Sequence, residues 1–285
     1  MGRPRPLVAL VGLVLLAAGC TAIRPQPAAR AIGGGAAPPA VSTCYDSPIA
    51  THSMWAAGVP EVPCTGPHLA ETYYTGTSPG PGSSAHVRPG SPEMFGLFAT
   101  CEEYAREFLG AAWHSGWVQI QLTLPRADRS VSAAERRFSC EAFEVDQLGP
   151  ENPVRRTSSL RGALVARGPL SMGCLSLRDR PAKAQLVAAG CDQPHEAEYV
   201  SSGHQADPPD SLDQGQIDLV GDRRCAGAVS SYTRSHQRVL VGFAGWGPAY
   251  WMVGQVTLRC FALAPAGKRF TASVKALGDR EPPTV

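Results

Sequence analysis

The residues Cys-Thr-Gly-Pro-His-Leu-Ala-Glu at positions 64–71 return as Cys-Asp-Gln-Pro-His-Glu-Ala-Glu at positions 191–198. Both stretches follow the pattern Cys-x-x-Pro-His-x-Ala-Glu, position for position. The other cysteines also align between the two copies, and only Cys20 is left outside the alignment. The sequence therefore predicts an internal duplication. The first repeat contains Cys44, Cys64, Cys101 and Cys140, and the second contains Cys174, Cys191, Cys225 and Cys260.

Length and composition indicate a folded protein of about two ordinary domains. The chain has 285 residues, of which 44% are hydrophobic and 18% are charged, a balance typical of globular proteins. The formal net charge is only +2. Two of the positive residues, Arg3 and Arg5, lie in a segment that we expect to be removed. A near-neutral mature chain does not favour nucleic acid as a partner.

The two sets of four cysteines indicate disulfides and hence export, because disulfides persist in oxidising compartments. No Cys-x(2–4)-Cys pair occurs, so the spacing does not favour a zinc site. Sequence alone leaves three pairings open in each repeat. We prefer pairs that are adjacent in the chain and keep similar separations in both copies. These pairs are Cys44 with Cys64, Cys101 with Cys140, Cys174 with Cys191, and Cys225 with Cys260.

Residues 1–20 have the features of a lipoprotein signal peptide. A positive start precedes an apolar run at residues 7–18, which is too short to span a membrane as a helix. The run ends in Leu-Ala-Ala-Gly-Cys at residues 16–20, which resembles the bacterial lipobox. The alternative is a plain secretory signal with a chance cysteine. We expect Cys20 to carry a diacylglyceryl group, with palmitate as an acyl chain, and to anchor the protein at the extracytoplasmic face of the cell membrane.

The remaining boundaries follow from composition and from the repeat. Residues 21–43 are rich in Ala, Gly and Pro and predict a flexible tether that spans about 25 Å as a coil. We assign residues 44–167 to the first repeat and residues 168–278 to the second. The Pro-containing residues 279–285 are expected to form a loose tail.

Each repeat is predicted to contain a small sheet and one main amphipathic helix. In the first repeat Ser91-Pro92 starts the helix and Gly110 ends it. Apolar residues recur along it in steps of three and four: Met94, Leu97, Phe98, Cys101, Tyr104, Ala105 and Phe108. Strands are predicted at residues 70–75, 118–124 and 137–145, and at 186–188, 198–201, 239–241 and 256–261. The fold class is therefore α+β, with two tandem small disulfide-stabilised domains.

Several short sequences accompany the motif. They are Val62-Pro63 directly before Cys64, Pro248 and Trp251 ahead of Arg259-Cys260, and Ser159-Leu160-Arg161-Gly162 at the end of the first repeat. Together with the motif and the cysteine-bearing helix, they resemble the septum-formation-related domain of actinobacterial membrane proteins and lipoproteins. The first copy lacks a Trp between Pro125 and Cys140, and the second closes with Ser273-Val274-Lys275-Ala276. The resemblance implies two tandem copies and a link to cell division or envelope growth, but no catalytic residues.

The histidine and glutamate of each motif copy are the sharpest polar candidates. His68 with Glu71, and His195 with Glu198, could each supply two metal ligands or an acid–base pair. The alternative is structural, with the ring hydrogen-bonding a neighbouring group so that the turn leads into the following strand. We favour the structural role and expect no metal, because no third ligand of fixed spacing accompanies either pair.

A search for catalytic motifs finds no Gly-x-Ser-x-Gly elbow, no His-Glu-x-x-His and no Gly-rich phosphate loop. Paired or acylated cysteines also leave no thiolate for catalysis. We therefore expect a non-enzymatic binding or scaffold module that needs no cofactor and whose partner is an envelope protein or a cell-wall ligand. The alternative is an envelope enzyme or a metal-dependent sensor that uses the His–Glu pairs. Four tryptophans are interpreted as core residues or as a partner surface: Trp113, Trp117, Trp246 and Trp251.

Overall fold

The computed structural model describes most of residues 41–285. The described residues are 41–46, 61–78, 87–124, 137–148, 153–178, 185–204, 214–235, 239–244, 252, 254, 255 and 257–285. All of them belong to one compact unit, Gly34–Val285. Cys20, most of the expected tether, Trp246 and Trp251 lie outside them. Among the described residues, no helix has the length and apolar character needed to span a membrane.

The first repeat folds into a five-stranded antiparallel sheet with one long helix. Its strands are β1 (Cys44–Tyr45), β2 (Glu61–Val62), β3 (Ala70–Thr77), β4 (Val118–Thr123) and β5 (Arg137–Glu144), in the order β2-β1-β3-β5-β4. Helix α1 (Pro92–Leu109) and a single 3₁₀ turn (Trp113–Ser115) connect β3 to β4. The long strands β3 and β5 lie next to each other, with Thr72 opposite Glu141.

The second repeat has the same topology. Its strands are β6 (Cys174–Arg178), β7 (Gln185–Ala189), β8 (Ala197–His204), β9 (Leu240–Ala244) and β10 (Thr257–Leu263), in the order β7-β6-β8-β10-β9. Helix α2 (Gln214–Thr233) connects β8 to β9. The duplication in the sequence is therefore matched by two sheets with equivalent strand order and one main helix each. This arrangement agrees with the α+β expectation at the level of sheets and helices.

Helix α1 begins and ends where the sequence predicts. The Ser91 side chain accepts a hydrogen bond from the Met94 N–H at 3.2 Å, and Gly110 ends the helix at φ 85°, a left-handed conformation that suits glycine. Its buried residues are Met94, Leu97, Phe98, Cys101, Ala105, Phe108 and Leu109. Tyr104 was expected on this face but is 37% exposed. Its ring lies at the rim and stacks on Tyr74 with 3.7 Å between centroids.

The structure contains the four disulfides that the spacing favoured, and they fall into two classes. Cys101–Cys140 and Cys225–Cys260 have sequence separations of 39 and 35 residues and join each helix to the middle of its sheet. Cys44–Cys64 and Cys174–Cys191 have separations of 20 and 17 residues and join β1 or β6 to the motif. The helix bridges are fully buried. Each motif bridge pairs a buried cysteine with one that is partly or fully exposed.

The two repeats share their hydrophobic core. Leu258 of β10 packs with the residues around α1, and Phe261 packs in one cluster with Trp117 and Phe143 of the first repeat. The outer edge of the first sheet is also closed by the second repeat. The Gln255 amide donates to the carbonyl of Ile120 at 3.1 Å, and the Arg259 guanidinium donates to the carbonyl of Val118 at 3.3 Å. Side chains of the second repeat therefore donate hydrogen bonds to the β4 carbonyls that point away from the first sheet.

The C-terminal residues do not form the expected loose tail. The backbone of Val285 exchanges two hydrogen bonds with Arg269, each 3.0 Å long, and the Thr271 N–H donates to the carbonyl of Pro283 at 2.8 Å. Proline lacks a donor but keeps its carbonyl. An extended Pro-containing segment can therefore still pair along one side, which composition alone does not reveal.

Candidate functional site

In the first repeat, the motif glutamate is buried and binds a distant segment of the chain. Glu71 is 1% exposed. Its Oε2 accepts the Leu160 N–H at 2.9 Å, and the Ser159 hydroxyl lies 2.8 Å and 2.9 Å from the two carboxylate oxygens. We call residues 156–162 and 270–276 the closing segments of the two repeats. The closing segment of the first repeat is irregular, so its Leu160 N–H has no acceptor in a sheet. The Glu71 carboxylate provides that acceptor.

The second copy makes the same contacts and adds another. Oε1 of Glu198 accepts the Val274 N–H at 2.8 Å, and Oε2 accepts the Ser273 hydroxyl at 2.9 Å. The Tyr232 hydroxyl donates to the same carboxylate at 2.8 Å. Glu198 is 1% exposed. Both motif glutamates therefore bind a Ser-Leu or Ser-Val pair at the same position of the repeat.

The motif histidine holds the closing segment through its backbone. The N–H and C=O of His68 bond the C=O and N–H of Arg156 at 2.8 Å and 2.9 Å, and His195 pairs with Phe270 at 3.0 Å and 2.7 Å. In the ring, Nδ1 lies 2.8 Å from the Gly66 carbonyl in the first copy and 2.7 Å from the Gln193 carbonyl in the second. Because a carbonyl only accepts, Nδ1 carries a proton in both copies.

The second ring nitrogen differs between the copies. Nε2 of His195 lies 3.2 Å from Oε1 of Glu198, within hydrogen-bond distance. Nε2 of His68 is buried and hydrogen-bonds with no atom of the described residues. Both rings are 0% exposed, so neither can reach a substrate in solution while the motif is closed.

A third group accompanies each pair. One ligand atom from each of Cys44, His68 and Glu71 lies within 4.8 Å of the other two, and Cys174, His195 and Glu198 form the equivalent group. Sequence spacing missed the cysteine because it precedes the motif on a different strand. Its disulfide partner is the first residue of the motif, and this partnership is the signal that could have identified it. With the bridge closed, the cysteine sulfur is not a thiolate and the group resembles a structural cluster.

The closing segment also binds the end of the helix in both repeats. The Gly162 N–H donates to the Phe108 carbonyl, and the Ala276 N–H donates to the Tyr232 carbonyl, each at 2.8 Å. Carbonyls in the last turn of a helix have no partner inside the helix. To make this contact the backbone turns left-handed, with φ 71° at Gly162 and φ 54° at Ala276. Glycine adopts this conformation freely, whereas alanine is strained in it.

A buried carboxylic acid on β5 was missed by the sequence interpretation. Glu141 is 1% exposed and lies on the face of the sheet away from α1, since Cys140 beside it bonds the helix. Thr123 donates to it at 2.6 Å, and the Ser139 hydroxyl also bonds it. Burial raises its pKa to about 7, although the hydroxyl donors lower it. The second repeat has Phe261 at this position, so the fold itself does not demand a carboxylate there.

Other singled-out residues belong to the core. Trp113 and Trp117 are 1% and 6% exposed, which agrees with the core interpretation for these two. The Arg259 guanidinium lies over the Trp113 ring, 4.9 Å from its centroid, and donates to the His114 carbonyl at 3.0 Å. Burial lowers the pKa of Arg259 to about 10, so it remains a cation at neutral pH. It holds the second repeat against the first.

A family model described as septum formation matches residues 42–260, a stretch that includes both motif copies and more than half of the chain. The match confirms the resemblance to the septum-formation-related domain family. No curated protein and no solved structure matches the chain.

Removing the two motif histidines should cost unequal amounts of stability. We expect His195→Ala to lower the free energy of unfolding by about 1–3 kcal/mol, because it removes the contacts of the buried ring with both the Gln193 carbonyl and Glu198. His68→Ala should cost less, because only Nδ1 of His68 is bonded. Thermal and denaturant unfolding measure both changes. As the control, substitution of the exposed Glu107 by Ala should change the free energy of unfolding by no more than about 0.5 kcal/mol. Equal losses at the two histidines would contradict the difference between the copies.

The left-handed backbone at the equivalent residues Gly162 and Ala276 predicts that exchanging glycine and alanine will change stability in opposite directions at the two positions. Ala276→Gly should raise the free energy of unfolding by about 0.5–1 kcal/mol, because glycine removes the strain but loses more chain entropy on folding. Gly162→Ala should lower it by a similar amount. Denaturant midpoints at constant m-value measure both. A stabilising Gly162→Ala would show that the turn relaxes.

Glu141 should make stability depend on pH. Its folded pKa of about 7 lies above the ordinary glutamate value of 4.5, so the stability it contributes is fully present below about pH 4.5 and is lost as the pH rises to about 7. The loss is on the order of 3 kcal/mol. The Glu141→Gln variant should therefore become more stable relative to the parent as the pH rises through this range. A constant difference between the two unfolding curves from pH 4.5 to pH 8 would contradict a neutral acid at this site.

Proposed function

Because the chain belongs to the septum-formation family, we propose that it is a membrane-anchored extracytoplasmic lipoprotein that acts as a non-enzymatic binding or scaffold module at the cell envelope. The anchor is Cys20, and the role is in septum formation or envelope growth. In this proposal the chain carries two tandem copies of the septum-formation-related domain found in actinobacterial membrane proteins and lipoproteins. Its partner is an envelope protein or a cell-wall ligand.

This proposal rests on one observation: the histidine and glutamate of both motifs are buried and hydrogen-bonded within the fold. Glu71 and Glu198 each bond a closing segment, and both motif histidines pair their backbones with the same segments. These groups are at most 1% exposed. The motif glutamates and histidines therefore support the structure. We expect the outer surface of the protein to bind the partner.

Capture from native membranes tests the proposal. The full chain with a C-terminal tag would be crosslinked in cells, extracted in detergent and purified, with Cys20→Ala as the matched chain that lacks the anchor. We expect envelope proteins or wall fragments to be enriched with the anchored chain and reduced with Cys20→Ala. Equal recovery with the unanchored chain, or turnover of wall fragments by the purified protein, would contradict a membrane-bound scaffold.

The link to septum formation needs its own measurement. A fluorescent fusion of the full chain should accumulate at division sites before constriction, and deletion of the gene should delay or misplace septa. Complementation with Cys20→Ala at matched abundance separates the anchor from the folded part. A uniform distribution together with normal septa after deletion would restrict the protein to general envelope growth.

Acylation of Cys20 is a direct prediction. Mass spectrometry of the native N-terminus should find the mature chain starting at Cys20 with a diacylglyceryl group, because two acyl chains give stable membrane anchoring where one does not. Cys20→Ala should release the protein from the membrane fraction. An unmodified peptide that reads through Gly19-Cys20 from membrane-derived protein would sink this prediction.

A further inference from the structure

The motif disulfides are built differently from the helix disulfides. Both cysteines of Cys101–Cys140 are 0% exposed, so a reductant in solution has no path to this bridge. In each motif bridge one cysteine is accessible to solvent, at the partly exposed Cys64 or the exposed Cys191. The other, at Cys44 or Cys174, is buried at 0% or 4% exposure. A dithiol reductant can therefore reach the motif bridges before the helix bridges.

The inner sulfur of each motif bridge lies against two metal-ligating groups. The ligand atoms of Cys44, His68 and Glu71 are within 4.8 Å of one another, as are those of Cys174, His195 and Glu198. The outer cysteine is 2.01 Å from the inner one in the first copy and 1.98 Å in the second. Opening a bridge would thus leave the inner thiol beside one imidazole and one carboxylate, with the outer thiol next to it and free to turn towards the same group.

The histidine of the first copy is oriented as a metal-ligating histidine is, whereas Nε2 of His195 lies 3.2 Å from Oε1 of Glu198 and would exchange this contact for the ion. A ligating ring almost always donates its other N–H to a carbonyl or carboxylate, which fixes the tautomer. Nδ1 of His68 donates to the Gly66 carbonyl at 2.8 Å. Its buried Nε2 has no hydrogen-bond partner among the described residues. Glu71 is likewise held by Ser159 and Leu160, which matches the hydrogen-bonded carboxylates found as metal ligands.

We propose that reduction of the motif disulfides converts each Cys-x-x-Pro-His-x-Ala-Glu turn into a zinc site. The ligands are Cys44, Cys64, His68 and Glu71 in the first repeat and Cys174, Cys191, His195 and Glu198 in the second. A dithiol reductant gives two electrons and two protons to the bridge and becomes a disulfide. Zn²⁺ then displaces the proton of each thiol, so the two thiolates bind the ion and two protons leave to solvent.

The donor set selects zinc over other abundant cations. Two thiolates with one imidazole and one carboxylate suit four-coordinate tetrahedral Zn²⁺, whereas Mg²⁺ and Ca²⁺ prefer oxygen ligands. With the bridge closed neither thiolate exists, and His68 and Glu71 alone do not complete a site. The oxidised protein is thus the metal-free state, and metal uptake reports the redox state of the envelope.

Selective reduction of the full chain tests the proposal. The oxidised protein would be treated with limiting dithiol, and peptide mapping after alkylation would verify that the motif bridges open while Cys101–Cys140 and Cys225–Cys260 remain closed. Zinc content after dialysis, and the cobalt–thiolate absorption after Co²⁺ addition, measure the binding. We expect about one ion for each opened motif, no cobalt–thiolate absorption from the oxidised chain, and a native circular dichroism spectrum.

Each repeat is the internal control for the other. His68→Gln should abolish uptake by the first motif and leave the second intact, and His195→Gln should do the reverse. Lys275→Gln, on the exposed side of a closing segment, should change neither. Four outcomes would overturn the proposal: no uptake after the motif bridges open, equal uptake by the oxidised chain, unchanged uptake in His68→Gln, or uptake only by a chain that has unfolded on reduction.

Discussion

The buried carboxylate of the motif holds the rest of each repeat together. Glu71 is the second residue of strand β3 and bonds Ser159 and Leu160 of the closing segment, which lies far along the chain. The same segment donates to the last turn of α1 at Phe108. One side chain therefore joins the sheet, the closing segment and the end of the helix. A buried backbone N–H without an acceptor is costly, so the contact explains why a glutamate occupies this position in both copies.

The contacts around this carboxylate are repeated in detail. Arg161 lies over the Phe108 ring at 4.9 Å, and Lys275 lies over the Tyr232 ring at 6.0 Å. The two copies thus share more than a sequence motif. In both, the motif glutamate binds the closing segment, and the closing segment binds the last turn of the helix. Where the copies differ, the fold tolerates either residue, as with the buried Glu141 and Phe261 on the face of each sheet away from its helix. Comparison of the two copies therefore separates residues that the fold requires from residues that it allows to vary.

Sequence predicts the local features of this fold well and the long-range ones poorly. Helix α1 could be placed from its apolar steps, from Ser91 and from Gly110, because each signal acts within a few residues. The burial of Glu141 could not, because strand alternation assigns it to the opposite face from Cys140 but does not reveal that this face is also covered. The inclusion of Cys44 in the motif cluster and the pairing of residues 283–285 depend on strand neighbours that are distant in the chain.

The packing of the two repeats gives a physical reason for joining them in one chain. The edge of a sheet exposes unpaired carbonyls and N–H groups, and an open edge invites pairing with other chains. Strand β4 forms such an edge, and its carbonyls at Val118 and Ile120 are bonded by Arg259 and Gln255 of the second repeat. Arg259 is 1% exposed and reaches this position because its neighbour Cys260 is fixed to α2 by a disulfide. The Cys225–Cys260 disulfide therefore stabilises the second repeat and also positions the Arg259 guanidinium against strand β4 of the first repeat. A first repeat produced alone would expose the β4 edge.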